Sequence, residues 1–158
     1  MQLQEGQEHS HVDHTTNGSI VSLAVSATLH CLTGCVIGET IGLMLGVSLQ
    51  WHPLQTAIVA TALAFITGFA LTLIPMVVRK GMSISETFRI VWLGETISIG
   101  IMELTMNIVD FLVGGMQVQS ISDPIFWYSL IAAIIAGFMA GFPVNYVMIK
   151  KNIKKKCH

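Results

Sequence analysis

Four stretches of this chain are each long and apolar enough to cross a lipid bilayer, and that leaves few folds open. A bilayer core needs about 20 mainly apolar residues per helix. Residues 20–50, 54–78, 88–115 and 124–149 meet that length. Trp51-His52-Pro53, Arg79-Lys80-Gly81 and residues 117–124 separate them, each carrying residues that interrupt an apolar helix. Lipid offers backbone N–H and C=O groups no partners, so apolar runs of this length form helices. Composition agrees: 11% of the residues are charged, against roughly 25% in soluble domains. The expected fold class is all-α, a polytopic integral membrane protein with four transmembrane helices in a compact bundle.

Charge orients the spans. No Lys or Arg precedes Arg79, and the remaining basic residues are Lys80, Arg89 and five lysines from Lys150 to Lys156. Basic loops stay on the cytoplasmic face. The loop between spans two and three and the C-terminal tail therefore lie inside, and the loops at Trp51 and at 117–124, which lack Lys and Arg, lie outside. Trp51, Trp127 and Tyr128 fall where an outer aromatic belt sits. The expectation is a plasma (inner) membrane protein with both termini cytoplasmic: residues 1–19 a disordered His-containing tail, 20–149 the bundle, 150–158 a basic tail. Met1 to Asn17 lacks the basic start of a secretory signal, so the first span reads as a retained anchor. In that tail His9, His11 and His14, with Glu8 and Asp13, offer loose metal chelation, although a solvated tail explains them as well.

Each span has one small or polar face. In the first, Ala24, Ala27, Thr28, Cys31, Gly34, Cys35, Gly38, Glu39, Gly42 and Gly46 lie on one side of the wheel, with Leu29, Leu32, Val36, Leu43, Met44 and Val47 opposite. That is a small-xxx-small seam for close helix packing. The second span aligns Ala57, Thr61, Ala64, Gly68, Thr72 and Pro75. The third aligns Arg89, Thr96, Gly100, Glu103, Met106, Asn107, Asp110 and Gly114, with Glu95 and Met102 on the shoulder. The fourth aligns Ala133, Gly137, Ala140, Gly141, Asn145 and Met148. The glycine faces serve the bundle itself, a homo-oligomer or a membrane-complex partner. Gly38-Glu39-Thr40-Ile41 recurs as Gly94-Glu95-Thr96-Ile97; a duplication would relate the two hairpins by an axis along the membrane normal.

Polar groups on these faces carry the functional reading. A carboxylate near the bilayer centre costs about 2.5–3.5 kcal/mol on insertion scales, yet Glu39, Glu95, Glu103 and Asp110 all fall inside spans. One explanation is interhelical hydrogen bonding that fixes packing, with Asn107 and Thr96 as partners. The other is a polar path of Glu95, Glu103, Met106, Asn107 and Asp110. The sharper signal is His30-Cys31-x-x-x-Cys35-x-x-x-Glu39. Residues four apart share a helix face, so both thiols reach one ion. Thiolates and thioethers select copper(I), with zinc or iron behind it. The candidate metal set is His30, Cys31, Cys35 and Glu39, with Met102, Met106 and Met148 as further soft donors. Cysteine and methionine are also ordinary core residues.

The string from Thr28 to Glu39, with its His-Cys-x-x-Gly-Cys element, and the later Met102-Glu103-Leu104-Thr105-Met106-Asn107-Ile108-Val109-Asp110 resemble a family of small membrane proteins called domain of unknown function 4396. The resemblance spans about residues 20–151 and implies a compact helical membrane domain. It implies no substrate and no catalytic role.

Three readings follow: binding or transport of a transition metal ion, copper(I) preferred; a non-catalytic subunit or assembly factor; and a proton- or cation-coupled carrier built on the carboxylates. A haem or quinone role through His30 and His52 ranks behind them. No Gly-x-x-x-x-Gly-Lys phosphate loop, Gly-x-Ser-x-Gly elbow or His-Glu-x-x-His motif occurs in the chain. The short basic tail suits contact with anionic lipid rather than nucleic acid.

Overall fold

The structure, a computed structural model, describes residues 12–81 and 83–151. It contains four helices: α1 (Val12–Ser48), α2 (Pro53–Lys80), α3 (Ile84–Val113) and α4 (Pro124–Lys150). All four are long and apolar enough to cross a membrane. They run up and down, so the α1–α2 and α3–α4 loops share one end of the bundle. Gln50 Nε2 ties those loops together by donating to the Gln119 carbonyl at 3.0 Å.

Helix boundaries follow local chemistry. Pro53 and Pro124 occupy first-turn positions, where a missing N–H costs nothing. His52 and Gln55 form a reciprocal capping box at the start of α2, and Asp123 Oδ1 accepts from Ile125 N at 2.9 Å at the start of α4. Gly81 (φ 62°) and Gly114 (φ 99°) end α2 and α3 in the left-handed region. Pro75 and Pro143 sit inside helices that continue through them. Helix α1 begins at Val12, within the segment expected to be a disordered tail. Once a long apolar span is formed, each added residue gains a hydrogen bond without a new nucleation cost. His9, His11 and Glu8 lie outside the described residues, as do residues 152–158 of the basic tail.

The helices form a ring in chain order. Helix α1 also touches α3 across the middle, whereas α2 and α4 do not meet. The closest pair is α1–α2, and its glycines explain why. A Cβ on Gly38 would fall onto the backbone of Ala64, and one on Gly42 onto Ala60. Thr67 Oγ1 crosses the same seam to donate to the Gly34 carbonyl at 2.6 Å. The α1 glycine seam is therefore filled by α2 of the same chain and is not free to pair subunits. Large apolar side chains point outward on every helix, including Ile37, Ile58, Leu104 and Ile135, as a lipid-facing surface requires and a soluble monomer avoids. Thr33 and Thr105 face outward too, and each hydroxyl donates to the carbonyl four residues back.

Two of the expected faces are corrected. Leu32, Leu43 and Val47, placed on the outer side of α1, are buried; α1 is the central helix, and α4 covers its second flank. In α3 the shoulder residues Glu95 and Met102 are buried, whereas Arg89 is exposed and Thr96 and Gly100 are only half-buried. Helix α3 turns this flank inward because it meets α1 and α4 as well as α2.

Candidate intramembrane cation site

The polar interior lies along one face of α1. Thr28, Cys31, Cys35 and Glu39 step along it at spacings of three, four and four, so they line about 16 Å of the bundle axis at 1.5 Å per residue. Every one of them is buried. Helices α1 and α3 run in the same direction, and although Cys31 reaches back to Glu95 while Asn145 joins Thr28 to Ser98, the later residues Cys35 and Glu39 meet the later Glu103 and Asp110.

At the end carrying the chain termini, Asn145 of α4 bridges the other two helices. Ser98 Oγ donates to Asn145 Oδ1 at 2.5 Å, Asn145 Nδ2 donates to Thr28 Oγ1 at 3.0 Å, and Thr28 Oγ1 donates to the Ala24 carbonyl at 2.7 Å. Next to this layer, Cys31 Sγ donates to Glu95 Oε2 at 3.2 Å. Beside it, the sulfur-bearing residues Cys31, Cys35, Met102 and Met106 belong to one buried cluster with Leu32, Ala64, Ile99 and Ala133. Gly137 and Gly141 of α4 make room for the two methionines, since a Cβ on either glycine would collide with Met106 or Met102.

Beyond the sulfurs come the acids. Cys35 abuts Glu103, and Glu39 faces Glu103 and Asp110. Glu39 and Asp110 are fully buried and Glu103 is 1% exposed. Neither oxygen of Glu39 or of Glu103 has a hydrogen-bond donor at bonding geometry, and Asp110 Oδ2 has none either. Asp110 Oδ1 accepts from Ser129 Oγ of α4. No Lys or Arg occurs before Arg79 or between Ile90 and Ile149, so the spans bring these acids no basic residue. An apolar layer of Leu43, Val47, Met116, Phe126 and Leu130 separates them from the two-loop end.

The chain matches a family described as Domain of unknown function (DUF4396) over residues 22–154. It belongs to that family. No curated protein and no solved structure matches the chain. The DUF4396 match takes in the described part of all four helices from residue 22 onward, and so every layer of this interior.

The metal set expected in this DUF4396 chain is not assembled as four ligands. His30 lies on the exposed side of α1, and its Nε2 donates to the Leu71 carbonyl of α2 at 3.0 Å. Its ring is rotated about 100° from Cys31 on an undistorted helix, and α1 stays helical through Gly34. Cys31 is engaged by Glu95, and Glu39 lies beyond Cys35 among the acids. Among the described residues no group of three or more His, Cys, Asp and Glu is arranged around one ion; the thioethers of Met102 and Met106 stand outside that count. Of the expected polar path, Glu95, Glu103, Met106 and Asp110 face the interior. Asn107 turns toward α2, where Nδ2 donates to Thr61 Oγ1 at 3.1 Å and to the Glu103 carbonyl at 2.8 Å. Met148 is buried but belongs to neither core cluster.

Ser98 and Ser129 were not among the sequence candidates. Antiparallel threading carries the signal for Ser129: Asp110 stands four residues before the end cap of α3 and Ser129 six after the start cap of α4. The repeat at Gly38 and Gly94 does not mark equivalent depths. Glu95 sits with Cys31, whereas Glu39 sits with Glu103 and Asp110, and Cys31 lies two turns before Glu39.

Proposed function

We propose that this protein binds a transition metal ion, copper(I) in preference to zinc or iron, inside the bilayer and carries it across. One observation carries the reading: four sulfur-bearing residues, Cys31, Cys35, Met102 and Met106, belong to one buried cluster. Thiolates select soft ions, and thioethers shift the preference further toward copper(I). Zinc asks for four firm ligands in a tetrahedron. With His30 bonded to Leu71 and Glu39 set among the acids, the cluster offers a sulfur environment better suited to a soft monovalent ion. It lies against Glu95 and Glu103, whose carboxyl oxygens stand beside the sulfur-bearing side chains. In the same reading the membrane is the plasma (inner) membrane, and both termini face the cytoplasm because the lysines and arginines flank that side.

Silver(I), a redox-inert stand-in for copper(I), tests the proposal in proteoliposomes. Wild-type protein is expected to move the ion at least tenfold faster than the Cys31→Ser/Cys35→Ser variant. Equal flux in both ends the metal reading. Stoichiometric recovery with another membrane protein, without metal, would instead support a non-catalytic subunit.

A further inference from the structure

Pro75 interrupts α2 shortly before its end at Lys80, and another helix answers the interruption. Proline has no N–H, so the Leu71 carbonyl, four residues earlier, receives no helical bond from position 75, and the ring crowds that carbonyl. In lipid such a freed carbonyl has no water to turn to and is met by a neighbouring helix. The donor is His30 of α1, whose Nε2 lies 3.0 Å from the Leu71 oxygen. His30 directly precedes the buried Cys31, so the repair of the α2 break sits on the same turn of α1 as the sulfur cluster. The two sides of the break are held unequally. On the near side α2 is clamped: a Cβ on Gly34 would come within 2.5 Å of Gly68 Cα, one on Gly68 would come within 2.7 Å of Ile99 Cδ1 of α3, and Phe69 packs on Phe88 with ring centroids 5.5 Å apart. The glycine contacts of the α1–α2 seam end at Gly34 and Gly68. On the far side lie Met76, whose side chain is buried, and the exposed Val78.

We propose that Pro75 is a hinge and His30 its latch: breaking the bond between His30 and the Leu71 carbonyl frees the last turn of α2, from Met76 onward, to swing away from α1 and open the bundle beside the turn that carries Cys31, at the end where the chain termini lie. Proline is a common seat of sharp helix bends, and hinges are a few element-terminal residues that absorb the backbone change. Gly81 follows the swinging turn in the left-handed region (φ 62°), so that turn is bounded by a break on each side. His30 therefore acts through α2 and not as a metal ligand. The hinge does not rest on the metal reading; only its service as a door for the ion bound near Cys31 does.

Labelling of Met76→Cys by a water-soluble maleimide tests it, in full-length protein in detergent with Cys31, Cys35 and Cys157 replaced by serine. The rate reads the population in which the end of α2 has swung open. Losing one interhelical hydrogen bond of the strength found in membranes shifts such a population by about threefold or more, so His30→Leu is expected to speed labelling by that factor. Pro75→Ala restores the N–H for the Leu71 carbonyl, and in that background His30→Leu should add nothing. No acceleration with Pro75 present overturns the inference. So does equal acceleration in both backgrounds, which would mark general loosening and not a latch. Should His30→Leu fail to fold, Pro75→Ala alone decides: slower labelling supports the hinge, and an unchanged or faster rate overturns it. In proteoliposomes Pro75→Ala is also expected to slow silver(I) flux, and flux equal to wild type overturns the door. Should flux prove independent of Cys31 and Cys35 while the labelling pattern holds, the metal reading falls and the hinge stands.

Discussion

Cys31 Sγ donates to Glu95 Oε2 at 3.2 Å across the contact between α1 and α3. The pair is 64 residues apart in sequence, and it fixes the relative height of two helices that run in the same direction. From that register Cys35 falls against Glu103, and Glu39 against Glu103 and Asp110. A double-mutant cycle with Cys31→Ala and Glu95→Ala measures the contact. Interhelical hydrogen bonds in membranes average about 0.6 kcal/mol and reach about 1.7, so a coupling of roughly 0.5–1.5 kcal/mol is expected in detergent unfolding. Strict additivity of the two substitutions would contradict the assigned register.

Asn145→Leu removes the bridge between Ser98 and Thr28. Thr28 keeps its bond to the Ala24 carbonyl, so most of the loss falls on Ser98. The expected destabilisation is about 1–2 kcal/mol, and adding Ser98→Ala should cost little more. Stability unchanged in the single variant would contradict the bridge.

Gly38→Val places side-chain atoms on the backbone of Ala64, which cannot yield as a flexible side chain can. Overpacking of ordinary cores costs about 1–3 kcal/mol, and a backbone collision belongs at or above the top of that range. Thr33→Val changes an outward-facing position one turn away and is expected to cost less than about 0.5 kcal/mol. Comparable melting temperatures for the two variants would refute the α1–α2 seam.

How much of this was legible in the sequence depended on how many neighbours each helix has. The polar face of α1, from Ala24 through Gly46, is the face the structure buries, apart from a half-buried Ala27, because glycines and polar residues in lipid have nowhere else to go. On the opposite face Leu32, Leu43 and Val47, which the helical wheel places outward, are buried. A leucine facing lipid and a leucine facing another apolar helix carry the same hydropathy, so periodicity does not distinguish a central helix from a peripheral one. His30 was grouped with Cys31 by adjacency, but neighbours in sequence diverge by about 100° on a helix, and its ring found the Leu71 carbonyl instead. Periodicity carries no mark for Ser98 or Ser129, because a serine in an apolar span satisfies itself on its own helix as readily as on another.

Orientation is tested by labelling. In a cysteine-free background, Gln119→Cys in the α3–α4 loop should react with an impermeant maleimide added to intact cells. Gly81→Cys should react only after the membrane is opened. The opposite pattern would invert the proposed topology.

The most direct test of the central claim is the stoichiometry of copper(I) bound to purified protein, loaded under reducing conditions and challenged with a competing chelator. The account predicts about one copper per chain in the wild type, retained in His30→Ala and lost in Cys31→Ser/Cys35→Ser. Substoichiometric copper, equal in the wild type and the double serine variant, would contradict it.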